Sequence, residues 1–155
     1  MTDFTHLTED GDVHMVDVGA KPETDRVATA EATVHLAPDT ADALFGGSLP
    51  KGDALATVRV AAIAGTKRTP DLIPLCHPIA LTSVEVAVER TAVGARIEVT
   101  ARTTGRTGVE MEAMTGASVG ALTLYDMVKG IDRGAEIGPV RLLAKSGGRS
   151  GEWRR

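Results

Sequence analysis

With 155 residues, 43% of them hydrophobic and 25% charged, the chain has the size and mix of one domain with a real core. Its net charge of −4 and 3% aromatic content speak against a polyanion-binding field and against base-stacking surfaces. One cysteine excludes an internal disulfide and fits a reducing cytosol, and no leader-like or membrane-length apolar run occurs. A cytoplasmic protein without nucleic-acid or membrane partners is expected.

Residues 1–25 are polar, carry scattered acids with His6 and His14, and read as an extended N-terminal arm. Arg26 to Leu36 (RVATAEATVHL) mixes small and β-branched residues on both faces and predicts a strand. Pro38-Asp39-Thr40 starts a short helix that Gly46-Gly47 ends. Lys51-Gly52-Asp53 leads into a second helix with Leu55, Val58, Ala62 and Ile63 on one face, closed by Gly65. Thr66 to Pro78 (TKRTPDLIPLCHP) holds three prolines and reads as a stiff, ordered loop. Leu81–Arg90 and Ala95–Thr104 alternate valine or isoleucine with charged residues, and Gly94 between them predicts a hairpin.

The stretch Gly105–Gly130 predicts a long helix of about six turns. Met111, Met114, Ser118, Ala121, Leu122, Tyr125 and Val128 fall on one side, and Ala113, Gly116, Ala117 and Gly120 form an opposite side of small residues. No charge occurs from Ala113 to Tyr125, so the helix should be buried nearly all round. Gly130 stands where a left-handed C′ residue is expected. Ile137–Lys145 is the last predicted strand, and residues 146–155 form a glycine-rich basic tail. The order β-α-α-β-β-α-β makes one α+β domain, a ferredoxin-like antiparallel sheet packed against helices.

Cations gather at element ends beside glycine or proline: Lys51, Lys67, Arg68, His77, Lys129, Lys145 and Arg149. Singly each reads as a solvated surface charge; as a set they suit one phosphorylated ligand. Asp126 faces the negative end of the helix dipole, and Lys129 at i+3 can compensate it. That pair reads equally as a plain ion pair or as an acid–base dyad. Glu112 lies about 21 Å along the axis from Asp126, too far for one small substrate to touch both. The histidines and Cys76 show no chelating spacing, so no metal site is expected, and Lys145-Ser146 lacks a Walker context.

The segments HMVDV (His14–Val18), KGD (Lys51–Asp53), KRT (Lys67–Thr69), DLIPLCHP (Asp71–Pro78), TGVEMEA (Thr107–Ala113), YDM (Tyr125–Met127) and IGPVRLLAKSGG (Ile137–Gly148) resemble the molybdenum cofactor biosynthesis protein C family. The similarity runs from roughly Gly11 to Gly151. It implies a cyclic pyranopterin monophosphate synthase, a phosphorus–oxygen lyase. Such an enzyme converts 3′,8-cyclo-7,8-dihydroguanosine triphosphate to cyclic pyranopterin monophosphate and pyrophosphate. It further implies a homohexamer, a trimer of dimers, with sites shared between subunits.

Matched to this sequence, the resemblance makes Lys51 and Lys129 proton-transfer candidates, each needing a lowered pKa. Asp126 would be an acid or base, or would orient Lys129. Arg26, His77 and Lys145 would hold the triphosphate, while Leu75, Cys76, His77, Met111 and Glu112 would frame the base and ribose. No redox cofactor is implied, and Mg²⁺ accompanying the triphosphate stays open. The competing readings are a non-catalytic nucleotide sensor on the same fold and, disfavoured by the missing strand aromatics, an RNA-recognition-type domain.

Overall fold

Small residues set the spacing of the layers. In the computed structural model, which describes residues 6–8 and 10–155, strand β1 (Thr24–His35) buries Ala28, Ala30, Ala32 and Val34 on its helix-facing side. Helices α1 (Pro38–Phe45), α2 (Ala54–Lys67) and α3 (Thr69–Leu72) follow, then β2 (Ser83–Thr91), β3 (Gly94–Gly105), α4 (Glu110–Val128), β4 (Glu136–Ser146) and β5 (Trp153–Arg154). The sheet order is β2-β3-β1-β4-β5 and every pairing is antiparallel. The first four strands thus have the ferredoxin-like arrangement, with β5 added at one edge.

The side chains of β2 and β3 keep a strict two-residue period. Val84, Val86 and Val88 pair with Ala101, Val99 and Ile97 under the helices. Glu85 and Glu89 instead reach Arg102 and Arg96 on the other face. There Glu31, almost fully buried, takes Arg141 at 2.7 Å and Arg96 at 3.5 Å.

The small side of α4 is its inner side. Built onto Gly116, a Cβ would sit 2.2 Å from Thr66 Oγ1 and 3.1 Å from Val99; one on Gly120 would sit 3.1 Å from Ile97. On α2, a Cβ at Gly65 would meet Val119 at 2.7 Å. Two helices and a strand therefore meet at glycine contacts. The close helix packing on this side occurs within one chain.

Several boundaries differ from expectation, for local reasons. Gly65 does not close α2: it is a packing residue, and the helix runs on to Lys67. Within the proline-rich stretch, Pro70 occupies the first turn of α3, where its missing N–H costs nothing. The stiff loop is thus a helical end, a four-residue helix and a turn. Gly130 adopts no positive φ, because Ile131 and Asp132 both donate to the Val128 carbonyl at 2.9 Å and close the end of α4 without a left-handed residue. Asp132 then accepts from Ala37 N at 2.8 Å, tying that turn to the start of α1.

The expectation of all-round burial for α4 also fails in the single chain. Leu122 is 60% exposed and Met111 39%, while Met114, Ser118 and Tyr125 are only half-buried. Part of the expected arm, residues 1–5 and 9, lies outside the described residues; Leu7 bridges Val13, and the arm gives way to β1 at Thr24. The basic tail is not wholly irregular, since β5 forms within it.

The glycine contact yields a test. Gly116→Ala should destabilise the protein by about 1–3 kcal/mol through overpacking against Thr66. Thr66→Ala in the same chain should recover part of that loss, read as a non-additive double-mutant cycle in urea melts.

Candidate functional site

The charged residues of α4 belong to two separate clusters, one at each end. At the C-terminal end, the connector between α1 and α2 is anchored by buried Leu49 and by Asp53, which caps α2 through Ala56 N at 2.9 Å. This delivers Lys51 to the end of α4. Its Nζ donates to the Asp126 carbonyl at 2.6 Å and lies 3.1 Å from Asp126 Oδ2. Lys129 Nζ meets Asp126 Oδ1 at 2.7 Å. Two cations and a helix-end carbonyl acceptor thus converge where the helix dipole is negative.

All three side chains are substantially exposed. Lys129 first and Lys51 second hold the Asp126 carboxyl below its ordinary range. The same pairing pushes Lys129 above its usual value. For Lys129 the single chain thus presents the reverse of the lowered pKa expected of it, because the Asp126 carboxylate grips its proton rather than loosening it.

At the N-terminal end two adjoining cavities, of about 690 and 310 Å³, share Lys21, Thr107, Gly108 and Glu110. Among the described residues the larger is lined by five cationic residues, Lys21, Arg26, Arg106, Lys145 and Arg149, against one carboxylate, Glu110. Lys145 Nζ pairs with Glu110 at 2.9 Å, and Glu110 as the first residue of α4 also suits the positive end of the dipole. Arg26 is fixed from behind, its Nε donating to Gly105 O at 3.0 Å and its Nη2 to Arg106 O at 3.2 Å. Among the described residues its remaining N–H groups take no other hydrogen-bond acceptor.

The smaller cavity is lined by Leu75, Cys76, His77, Met111 and Glu112, with Val16 and Val18 of the arm. His77 Nε2 lies 2.8 Å from the Val16 carbonyl, which can only accept, so Nε2 carries the hydrogen and Nδ1 is left as an acceptor when the ring is neutral. Glu112 is 2% exposed; burial pushes its carboxyl up, and the charge of Glu110 adds to the effect. Burial and then Glu112 push the Cys76 thiol up, which disfavours a nucleophilic thiolate.

All seven residues expected to bind substrate thus line two contiguous cavities, and the three expected to move protons meet at the far end of α4. Within one chain the cations do not converge on a single point. Lys67 and Arg68 line neither cavity; both are exposed, and Arg68 faces Asp71 at 4.0 Å. Lys21 and Arg106 were missed by the sequence reading, although Pro22 and Gly105 beside them carry the same signal that flagged the other cations. Among the described residues no three His, Cys, Asp or Glu side chains gather to hold a metal ion, and no helix is long and apolar enough to cross a membrane.

The sequence matches the MoaC family over residues 15–148. A protein of Roseiflexus castenholzii is 58% identical, the match covering 98% of each chain. One of Corynebacterium efficiens is 54% identical over 99% of each, and one of Brucella abortus 52% over 97% of this chain and 92% of its own. Each of the three bears the name cyclic pyranopterin monophosphate synthase.

Glu112 provides a pH test. A carboxyl whose folded pKa is raised stabilises the fold fully below its unfolded pKa and loses that contribution as pH rises through the folded value. Glu112→Gln removes the loss. The Tm difference between Glu112→Gln and the parent should therefore grow in the variant's favour from pH 4 to pH 8, measured by thermal melts across that range.

Proposed function

The chain belongs to the MoaC family, and on that footing we propose that it is a cyclic pyranopterin monophosphate synthase. Its substrate is 3′,8-cyclo-7,8-dihydroguanosine triphosphate, and its products are cyclic pyranopterin monophosphate and pyrophosphate, a step in making the molybdenum cofactor. The observation that carries this reading is the larger cavity, where among the described residues five cations, one of them (Arg106) also paired with Glu23 at 3.7 Å, line the wall with one carboxylate in a chain of net negative charge. Such a concentration favours a polyanion held at several oxygens.

In this reading Arg26 and Lys145, with Lys21, Arg106 and Arg149, hold the triphosphate in the larger cavity, and His77 contacts it from the adjoining one. Closing the cyclic phosphate forms a bond from a substrate hydroxyl to the α-phosphorus, breaks the bond to the bridging oxygen and leaves the hydroxyl's proton with the released pyrophosphate. The departing pyrophosphate gains charge as it leaves, and fixed cations stabilise that change. Leu75, Cys76, Met111 and Glu112 frame the base and ribose in the adjoining cavity. Mg²⁺, where it takes part, enters with the triphosphate.

Opening and rebuilding the purine's imidazole portion requires proton transfers, assigned here to Lys51, Asp126 and Lys129. A triphosphate-bearing substrate brought beside them competes with Asp126 for the lysines. These residues stand about 21 Å, by helical rise, from Glu112 of the same chain, so a second copy completes each site. The uncovered apolar side of α4, with Leu122 and Met111, supports such an assembly, taken here as a homohexamer built as a trimer of dimers. The reaction is placed in the cytoplasm, with no membrane or nucleic-acid partner.

A single-turnover assay with the cyclised GTP derivative tests the proposal. One pyrophosphate should appear per cyclic pyranopterin monophosphate. Lys51→Ala, Asp126→Asn and Lys129→Ala should each cut the rate by at least about 100-fold. Substrate binding by the unaltered protein without pyrophosphate release would make it a nucleotide sensor instead. Near-normal turnover in all three variants would refute the assignment of roles.

A further inference from the structure

The family match ends at residue 148, but the ordered structure does not. After β4 the chain turns through Gly147, Gly148 and Gly151, all with positive φ, at 93°, 71° and 66°. It then returns antiparallel along the free edge of β4, pairing Arg154 with Ala144 and Trp153 with Lys145. Arg155 completes the return. Its N–H donates to the Leu143 carbonyl at 2.9 Å and its Nε to the Leu142 carbonyl at 2.9 Å, while its guanidinium lies 5.8 Å from the centre of the Trp153 ring.

The loop held by this return forms one wall of the larger cavity. Gly147, Gly148, Arg149 and Ser150 all line it. The wall also presses on the residues beneath it. A Cβ on Gly147 would lie 2.0 Å from the Asp25 carbonyl oxygen, and one on Gly148 would lie 2.1 Å from Arg26 Nη1. The backbone of the loop is thus seated on one expected phosphate contact, Arg26. Trp153 is the register partner of another, Lys145.

We propose that the C-terminal strand is a latch, in which Trp153 and Arg155 are positioning residues for the phosphate-binding wall. They touch no substrate; they hold Gly147–Ser150 and Lys145 where the anion must find them. Backbone pairing alone restrains this segment weakly. A glycine-rich loop loses much conformational freedom when ordered, and a two-residue ladder returns only a small part of it. The two hydrogen bonds of Arg155 and its packing on Trp153 are the further restraint, each modest in size. The closed loop is therefore near balance with an open one, and an anion that binds only the closed loop shifts that balance. Without the latch the loop must be ordered at the expense of binding, which weakens affinity and leaves the chemical step alone.

This inference rests on the assignment of the larger cavity to the triphosphate, and inorganic pyrophosphate separates the two. The chain contains one tryptophan, so Trp153 emission reports the latch directly. Pyrophosphate is titrated into the full-length protein by calorimetry and by fluorescence, and into a chain ending at Glu152 and an Arg155→Ala variant by calorimetry. Loss of the latch should raise the pyrophosphate Kd and the substrate KM about tenfold, with kcat within about twofold of the parent. Trp153 emission should change with the same midpoint as the calorimetric isotherm. Unchanged affinity in both altered chains, or silent Trp153 emission at calorimetric saturation, overturns the latch alone. A fall in kcat and Tm that accompanies the affinity loss also overturns it, as the mark of a merely structural strand. No pyrophosphate binding by the full-length protein overturns the cavity assignment and the latch together.

Discussion

The contact on which this structure depends is the glycine-lined seam between α4, α2 and β3. Gly116, Gly120 and Gly65 allow a close approach where a methyl group would collide with Thr66 or Val119 or crowd Ile97. Ala113, Ala117 and Leu124 fill the rest of that side, all at 0% exposure. Close packing of this kind transmits position rather than absorbing it. The nineteen residues of α4 therefore act as a rigid rod, and whatever its two ends carry is held at a fixed separation.

The ends carry unlike chemistry. At the start of α4, Glu110 answers the helix dipole and Lys145 answers Glu110, within a cavity whose other charged walls are cationic. At its finish, Asp126 meets an unfavourable dipole and is stabilised by Lys51 and Lys129. Each cluster is electrostatically balanced in part by its own carboxylate. If all these cations crowded one point without a ligand, their mutual repulsion would oppose folding. Within one chain the rod keeps the two clusters apart.

Much of this was legible in the residues themselves. The valine–glutamate alternation of β2 fixes which face meets the helices, and the charge-free centre of α4 fixes it as the core helix. The cation-beside-glycine signal found Lys145 and Arg149, and applied evenly it would have found Lys21 and Arg106. What the residues concealed was tertiary. Gly65 looks like a helix terminator and proves to be a packing contact; Gly130 looks like a left-handed cap and is displaced by the turn that Asp132 secures. The outward side of α4 looked like core because its apolar composition does not say whether the cover comes from the same chain. The role of the tail was hidden for a related reason: Trp153 and Arg155 gain their meaning only from the β4 edge they meet.

In the proposed function each site joins the N-terminal cavity of one chain to the Lys51–Asp126–Lys129 cluster of another. The most direct test mixes two inactive variants, Lys51→Ala and Lys145→Ala, under conditions of verified subunit exchange. In an equal mixture about a quarter of shared sites receive both intact halves, so activity should rise from the parental background toward that fraction. Activity no greater than the sum of the two parents, despite proven exchange, would mean that each chain holds a complete site of its own.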